Sequence, residues 1–92
     1  MKRSQIKIGA LYQVEMVCKL HIWNTEPSWY IHDISDNSEI IGVIDGGDCF
    51  IVLELLPIIG SRKYIDMKVL SHEAITGWVS TDLSFFKTAQ HE

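Results

Sequence analysis

Apolar side chains recur at every second position over much of the chain. From Ala10 to Ile22 all even-numbered residues are apolar or aromatic, whereas most odd-numbered residues are polar. This period of two is typical of a β-strand with one buried face, because successive side chains of a strand point to opposite sides. A helix would scatter the same positions around its whole circumference. The pattern predicts one strand, or two strands broken near Cys18.

The centre of the chain predicts a hairpin. The turn sequence Asp-Gly-Gly-Asp at 45–48 separates two runs, 40–44 and 49–56, that are rich in β-branched and apolar residues. Glycine accepts the positive φ that tight turns require. The second run is apolar on both faces, with Phe50, Val52 and Leu56 on one of them. Such a strand is either covered on both sides or offers an apolar patch to a partner.

Several short strands complete the predicted fold. They lie at residues 64–70, 75–79 and 85–87, and a single helical turn is predicted near residues 80–84. Ile65, Met67 and Val69 are predicted to point inward. Residues 24–39 are interpreted as a long loop around a short apolar island. Five to six short antiparallel strands without a longer helix predict an all-β fold, a small barrel.

Taken in order, these motifs resemble the bacterial SH3 family. Residues 19–23 (KLHIW) resemble its first alternating strand, and residues 40–48 resemble its diverging turn, Ile-Gly-x-Leu-x-x-Gly-Asp. Gly77-Trp78-Val79 resembles the Gly-Trp-Val element that precedes a helical turn in that family. The resemblance spans roughly Leu20 to Leu83. It implies an SH3-like barrel whose ligand groove is bordered by the 24–39 loop and by the loop after the glycine turn.

Eukaryotic SH3 domains give a second comparison. Residues 10–12 resemble the start of their Ala-Leu-Tyr-Asp-Tyr motif, but Val14 replaces its second tyrosine. Tyr64 is the nearest residue to their tryptophan pair, and Ser80 and Leu83 replace their last proline and tyrosine. Because those aromatic and proline side chains form the groove for proline-rich helices, we do not expect this chain to bind such peptides.

Length and charge set the domain organisation and the class of partner. A chain of 92 residues allows one domain, predicted at 10–88, between a basic segment at 1–9 and a tail at 89–92. The first seven residues carry three of the eight Lys and Arg residues and are expected to be a solvated end. The formal charge of the whole chain is −4. Nucleic-acid binders usually have a basic face, so nucleic acid is an unlikely partner.

No targeting segment is recognised in the sequence. No apolar stretch reaches the roughly 18 residues needed to cross a bilayer, and no charged-then-apolar signal peptide opens the chain. A cytoplasmic or virion-associated location, without membrane association, is therefore expected.

The polar residues predict no catalytic or metal site. Cys18-x-x-His21 is the closest pair of metal-ligand types, but a strand places these side chains on opposite faces. Residues 33–37 lack the glycine and glutamate of a calcium loop, and the sequence contains no phosphate loop and no nucleophile elbow. Cys18 and Cys49 are interpreted as inward-facing thiols. We expect no enzyme activity, no cofactor and no bound metal.

The excess of large aromatic side chains is the main functional signal. Trp23, Trp29 and Tyr30 lie in or beside the long loop, where binding and packing explain them about equally well, whereas Tyr12, Trp78 and Phe85 are predicted to lie in the core. Centres of protein interfaces favour aromatic residues. The predicted partner-binding residues are Trp23, Trp29, Tyr30, Phe50, Val52 and Leu56.

Three functions are compatible with these observations. The first is a non-catalytic SH3-like interaction module or accessory protein that binds a protein partner of unknown identity. The second is a structural subunit of a larger assembly such as a phage particle, with self-association through the apolar strand. The third, implied by the bacterial SH3 resemblance, is binding of cell-wall glycan or peptidoglycan.

Overall fold

More than half of the described residues lie in β-strands. The computed structural model describes residues 2–26, 39–57 and 64–89, which form a 3₁₀ turn at Arg3–Gln5 and seven β-strands. The strands form one antiparallel sheet in the order β3-β2-β6-β5-β4-β1-β7, which confirms the predicted all-β fold. Their bounds are β1 (Leu11–Val14), β2 (Lys19–Trp23), β3 (Ile40–Asp45), β4 (Cys49–Leu55), β5 (Tyr64–Ser71), β6 (Thr76–Asp82) and β7 (Phe86–Thr88).

One hydrophobic core lies on the inner side of this sheet. A flat sheet could not bring residues of all seven strands into a single cluster, so the sheet curls around the core as predicted for a small barrel. The buried apolar residues are Ile6, Tyr12, Val14, Leu20, Ile22, Ile44, Phe50, Val52, Ile65, Met67, Val69, Val79 and Phe86.

The alternation between residues 10 and 22 forms two strands, and this break gives seven strands instead of the five or six predicted. The Cys18 amide donates a hydrogen bond to the Glu15 carbonyl at 2.9 Å, which closes a turn between β1 and β2. At its tip Val17 is 97% exposed. The inward side chains of the two strands are the even-numbered Tyr12, Val14, Leu20 and Ile22.

The helical turn predicted at residues 80–84 is wrong. Strand β6 continues to Asp82, because pairing with β5 places Asp82 opposite Tyr64. The chain then turns sharply, since the Phe85 amide donates to the Asp82 carbonyl at 3.0 Å. The chain turns at Asp-Gly-Gly-Asp as predicted, with Gly47 at a φ of 89°. The predicted hairpin is wrong, however, because β3 pairs with β2 whereas β4 pairs with β1 and β5.

The predicted partner-binding face of β4 is wrong for two of its residues. Phe50 is 1% exposed and Val52 is completely buried, so neither side chain is available to a partner. The neighbouring strands determine this orientation: Phe50 pairs with Tyr12 of β1, and Val52 pairs with Val69 of β5, both of which face the core. The outward-facing side chains of β4 are therefore those of Cys49 and Ile51, which alternate with buried Phe50 and Val52.

Three other burial predictions are also corrected. Trp78 is only half-buried. It lies on the outer face of β6, between Gly77 and Val79, which are buried. Phe85 is 40% exposed, and its neighbour Phe86 enters the core instead. Cys49 precedes buried Phe50 and therefore lies on the outer side of β4, whereas partly buried Cys18 packs against the core as predicted; both are free thiols.

Part of the basic N-terminal segment packs on the sheet, whereas Lys2 and Lys7 are exposed as expected for a solvated end. Ile6 is 6% exposed and belongs to the core. The Gly9 amide donates to the Val52 carbonyl at 2.7 Å, and the Arg3 guanidinium donates to the Leu56 carbonyl. The segment runs along β4 and is part of the domain.

Candidate binding cleft

A cleft of about 180 Å³ lies between the β2–β3 hairpin and the turn that follows β6. Its apolar walls are Trp23 from β2, Ile40 from β3, Tyr64 from β5 and Phe85 from the turn. The polar lining includes Lys19, His21, Ser80 and Asp82. We call this depression the cleft.

The apolar walls of the cleft are unusually open to solvent. Ile40 and Tyr64 are each 50% exposed, and Phe85 is 40% exposed. Single exposed apolar residues are ordinary, but several around one concave site are typical of a binding surface. The cleft therefore has the composition of a recognition site.

The position of Trp23 depends on a glycine in β6. Strand β2 pairs with β6 only through Trp23 and Trp78. A Cβ atom on Gly77 would lie 2.4 Å from Ile22 Cγ2 and 2.6 Å from the Trp23 carbonyl oxygen. The absence of a side chain at Gly77 therefore allows β2 to approach β6 closely, which brings the hairpin against β6 to form one wall of the cleft.

The opposite wall is fixed by hydrogen bonds around Asp82. Asp82 Oδ1 accepts hydrogen bonds from the Ser84 amide at 2.9 Å and from Ser84 Oγ at 2.8 Å. The Phe85 carbonyl accepts a further hydrogen bond from the Glu15 amide at 2.8 Å. These contacts hold the turn, so Phe85 is presented on a fixed backbone.

The charges at the cleft are those of an exposed surface. Lys19 Nζ lies 3.9 Å from Asp45 Oδ1, and both side chains are more than half exposed. Exposed pairs of this kind contribute only about 0–1 kcal/mol to stability, so the pair can rearrange around a ligand. The cleft therefore combines aromatic and aliphatic walls with charges that stay in water.

A second apolar surface lies on the outer side of the sheet. Leu11, Ile51 and Leu70 pair across β1, β4 and β5, and each alternates with buried residues of its strand. We call these three residues the outer stripe. Beside it, Lys68 Nζ lies 3.9 Å from Glu54 Oε2 and 5.9 Å from the Trp78 ring centroid.

The structure places the predicted partner-binding residues in different parts of the molecule. Trp23 lies in the cleft, whereas half-buried Leu56 follows β4 beside Arg3, and Phe50 and Val52 are in the core. Trp29 and Tyr30 lie outside the described residues.

Three of the cleft's apolar walls, Ile40, Tyr64 and Phe85, are not among the predicted partner-binding residues. Phe85 was assigned to the core, and Tyr64 was noted only as the residue nearest to the tryptophan pair of eukaryotic SH3 domains.

Within residues 2–26, 39–57 and 64–89, no three His, Cys, Asp or Glu side chains are grouped to hold a metal ion. The same part of the chain contains no helix that is long and apolar enough to cross a membrane. No protein-family model, curated protein or solved structure matches the chain.

Proposed function

We propose that this protein is a non-catalytic SH3-like interaction module that binds a protein partner through the cleft. The observation that carries the proposal is the group of exposed apolar side chains, Trp23, Ile40, Tyr64 and Phe85, around one concave site. Residues of this type dominate the energy of protein recognition when a partner removes them from water. The proposed partner is a peptide segment or a loop, since the cleft is too small for a broad protein face.

The SH3-like part of the proposal is supported by the strand order. Strands β7, β1, β4, β5 and β6 are neighbours in that order, and the β2–β3 hairpin is inserted between β1 and β4. Short antiparallel strands around one core are what the resemblance to SH3 domains implies. The β2–β3 hairpin, which borders the cleft, flanks the 24–39 segment that the resemblance places beside the ligand groove.

We expect peptides selected on this protein to depend on the cleft. The experiment uses a displayed library of random 12-residue peptides, followed by affinity measurement of the enriched peptides by fluorescence anisotropy. Replacing Trp23 or Tyr64 with alanine is expected to weaken binding by about tenfold or more, since interface anchors contribute about 2 kcal/mol or more. The matched control is Ile8→Ala, which removes an apolar side chain that is 64% exposed outside the cleft.

Circular dichroism of each variant would establish that the fold is kept. Enriched peptides whose affinity is unchanged in both cleft variants, or equally weakened by Ile8→Ala, would contradict binding through the cleft. The absence of any enriched peptide would also count against a peptide-binding module.

A structural subunit of a larger assembly is the second candidate, and the outer stripe is the observation that favours it. An apolar row across three strands would be covered in an assembly of copies. Light scattering over a range of concentrations separates the two functions. We expect the interaction module to remain a monomer near 10.5 kDa. A discrete larger species that Ile51→Lys dissociates would instead support the subunit.

A further inference from the structure

Strand β3 is an end strand of the sheet. Among the described residues it pairs only with β2. Alternate residues of an antiparallel edge strand direct their N–H and C=O groups away from the sheet, where another strand can pair with them. Soluble proteins usually protect such edges with proline, charged residues or bulges. Residues 40–44 of β3, Ile-Ile-Gly-Val-Ile, contain no proline and no charged residue. The register with β2 shifts at Ile41, but from Gly42 to Asp45 the strand pairs regularly.

The exposed side chains of this edge lie on both of its sides. Ile40, 50% exposed, lines the cleft. Ile41, 40% exposed, points to the other side, where its Cδ1 would lie 3.2 Å from a Cβ atom on Gly77. A strand added next to β3 would cover both side chains, and its alternate residues would enter the cleft beside Ile40.

The charges at the ends of β3 distinguish between possible occupants. Glu39 precedes the strand and Asp45 ends it, and both are exposed. If two copies of β3 paired antiparallel around Gly42, each Glu39 would lie opposite an Asp45, and like charges directly opposite each other are destabilising. A strand with Lys or Arg at these two positions would instead be attracted. The formal charge of −4 adds to the repulsion between copies.

We infer that β3 accepts a segment of a partner protein as an additional antiparallel or parallel strand. The segment is extended, apolar at alternate positions, and carries Lys or Arg near its ends. This inference rests on the proposed function, because it specifies the partner of the cleft and how that partner binds.

The experiment uses the enriched 12-residue peptides of the selection described above. Their consensus is expected to alternate apolar and polar residues, with Lys or Arg near the ends. Methylating the peptide's backbone amides one at a time is then expected to lower affinity by about tenfold at every second position and by less than about twofold between them, because only alternate amides of an added strand donate to β3. A proline-rich consensus or an aperiodic methylation profile would overturn the inference.

Charge provides an independent measurement on the folded protein. Glu39→Lys is expected to weaken binding of a Lys-terminated peptide by about two- to fivefold, corresponding to one cross-strand charge pair. Glu54→Lys, the matched control, makes the same charge change on β4 away from β3 and is expected to leave the affinity unchanged. Equal effects of the two variants would overturn the assignment to β3.

The two proposals fail in distinguishable ways. An aperiodic methylation profile with full dependence on Trp23 and Tyr64 would overturn strand addition and keep the cleft. A periodic profile without that dependence would keep strand addition and contradict the cleft. A dimer that dissociates when the peptide binds would show that a second copy is the occupant of β3, and would overturn the inferred partner.

Discussion

Replacing Phe50 with alanine is expected to remove a large part of the stability of the domain. Phe50 is 1% exposed, and its ring centroid lies 6.0 Å from that of Tyr12 and 5.6 Å from that of Phe86. Alanine would leave a cavity where β1, β4 and β7 meet. Buried Phe→Ala changes cost about 3–5 kcal/mol, against a total of about 5–15 kcal/mol for typical domains. Urea unfolding followed by tryptophan fluorescence measures the loss.

The matched control is Phe85→Ala, which makes the same chemical change at a side chain that is 40% exposed. Its effect on the free energy of unfolding is expected to stay below about 1 kcal/mol. Because Phe85 lines the cleft, the substitution is expected instead to weaken binding of peptides there. If Phe85→Ala destabilised the protein as much as Phe50→Ala, the assignment of Phe50 to the core would be wrong.

Replacing Gly46 with alanine is expected to be the most damaging small change in a turn. An added Cβ atom would lie 2.2 Å from the Met16 carbonyl oxygen and 2.8 Å from the Glu15 carbonyl oxygen. Backbone atoms cannot rotate away as side chains can, so the β1–β2 and β3–β4 turns would have to separate. Introducing atoms into packed sites typically costs about 1–3 kcal/mol, and we expect a value at the upper end. The shift of the urea midpoint measures it.

Ala74→Gly is the complementary control, because it is the reverse substitution, alanine to glycine, at a position where the backbone favours glycine. Ala74 has a φ of 64°, in the left-handed region that disfavours residues with a Cβ atom. Glycine relieves this strain but also increases the entropy of the unfolded chain, so a gain of up to about 1 kcal/mol is expected. A midpoint of Gly46→Ala equal to that of the unchanged protein would mean that the two turns are not in contact.

The sequence pattern was sufficient where polar residues marked one face of a strand. Tyr12 and Ile22 were predicted to point inward because polar residues alternate with them, and β5 was predicted correctly for the same reason, with Met67 between two polar neighbours. Only one orientation of such a strand leaves its charged side chains in water. Burial of these residues therefore follows from the strand itself.

The orientation of β4 could not be predicted in this way, because both of its faces are apolar. Pairing with Tyr12 and Val69 decides that Phe50 and Val52 point inward, and that pairing joins segments far apart in sequence. The contribution of Ile6 to the core was not predicted, because the first nine residues were interpreted as a solvated end. Ile6 and Ile8 both alternate with polar residues, yet only Ile6 is buried. It is buried since the preceding 3₁₀ turn and the Gly9 hydrogen bond place it against β4.

The cleft could be predicted only in part. Trp23 was selected as an aromatic residue beside a long loop, and it lies in the cleft. Ile40, Tyr64 and Phe85 belong to three other elements, and their common exposure arises from how those elements meet. The periodicity within one strand does not show which residues of different strands and turns come together in the folded sheet.

Folding of this sheet is completed by segments from opposite ends of the chain. Tyr12 of β1 pairs with Thr88 of β7, so this pairing closes nearly the whole chain into a loop. Proteins dominated by such distant contacts fold in milliseconds to seconds rather than microseconds. On the ribosome, chains grow by about 5–20 residues per second, and β1 remains without its second neighbour until β7 has emerged. We expect that until then Tyr12 and Phe50, which both contact Phe86 in the folded sheet, are less well shielded from water and from neighbouring chains.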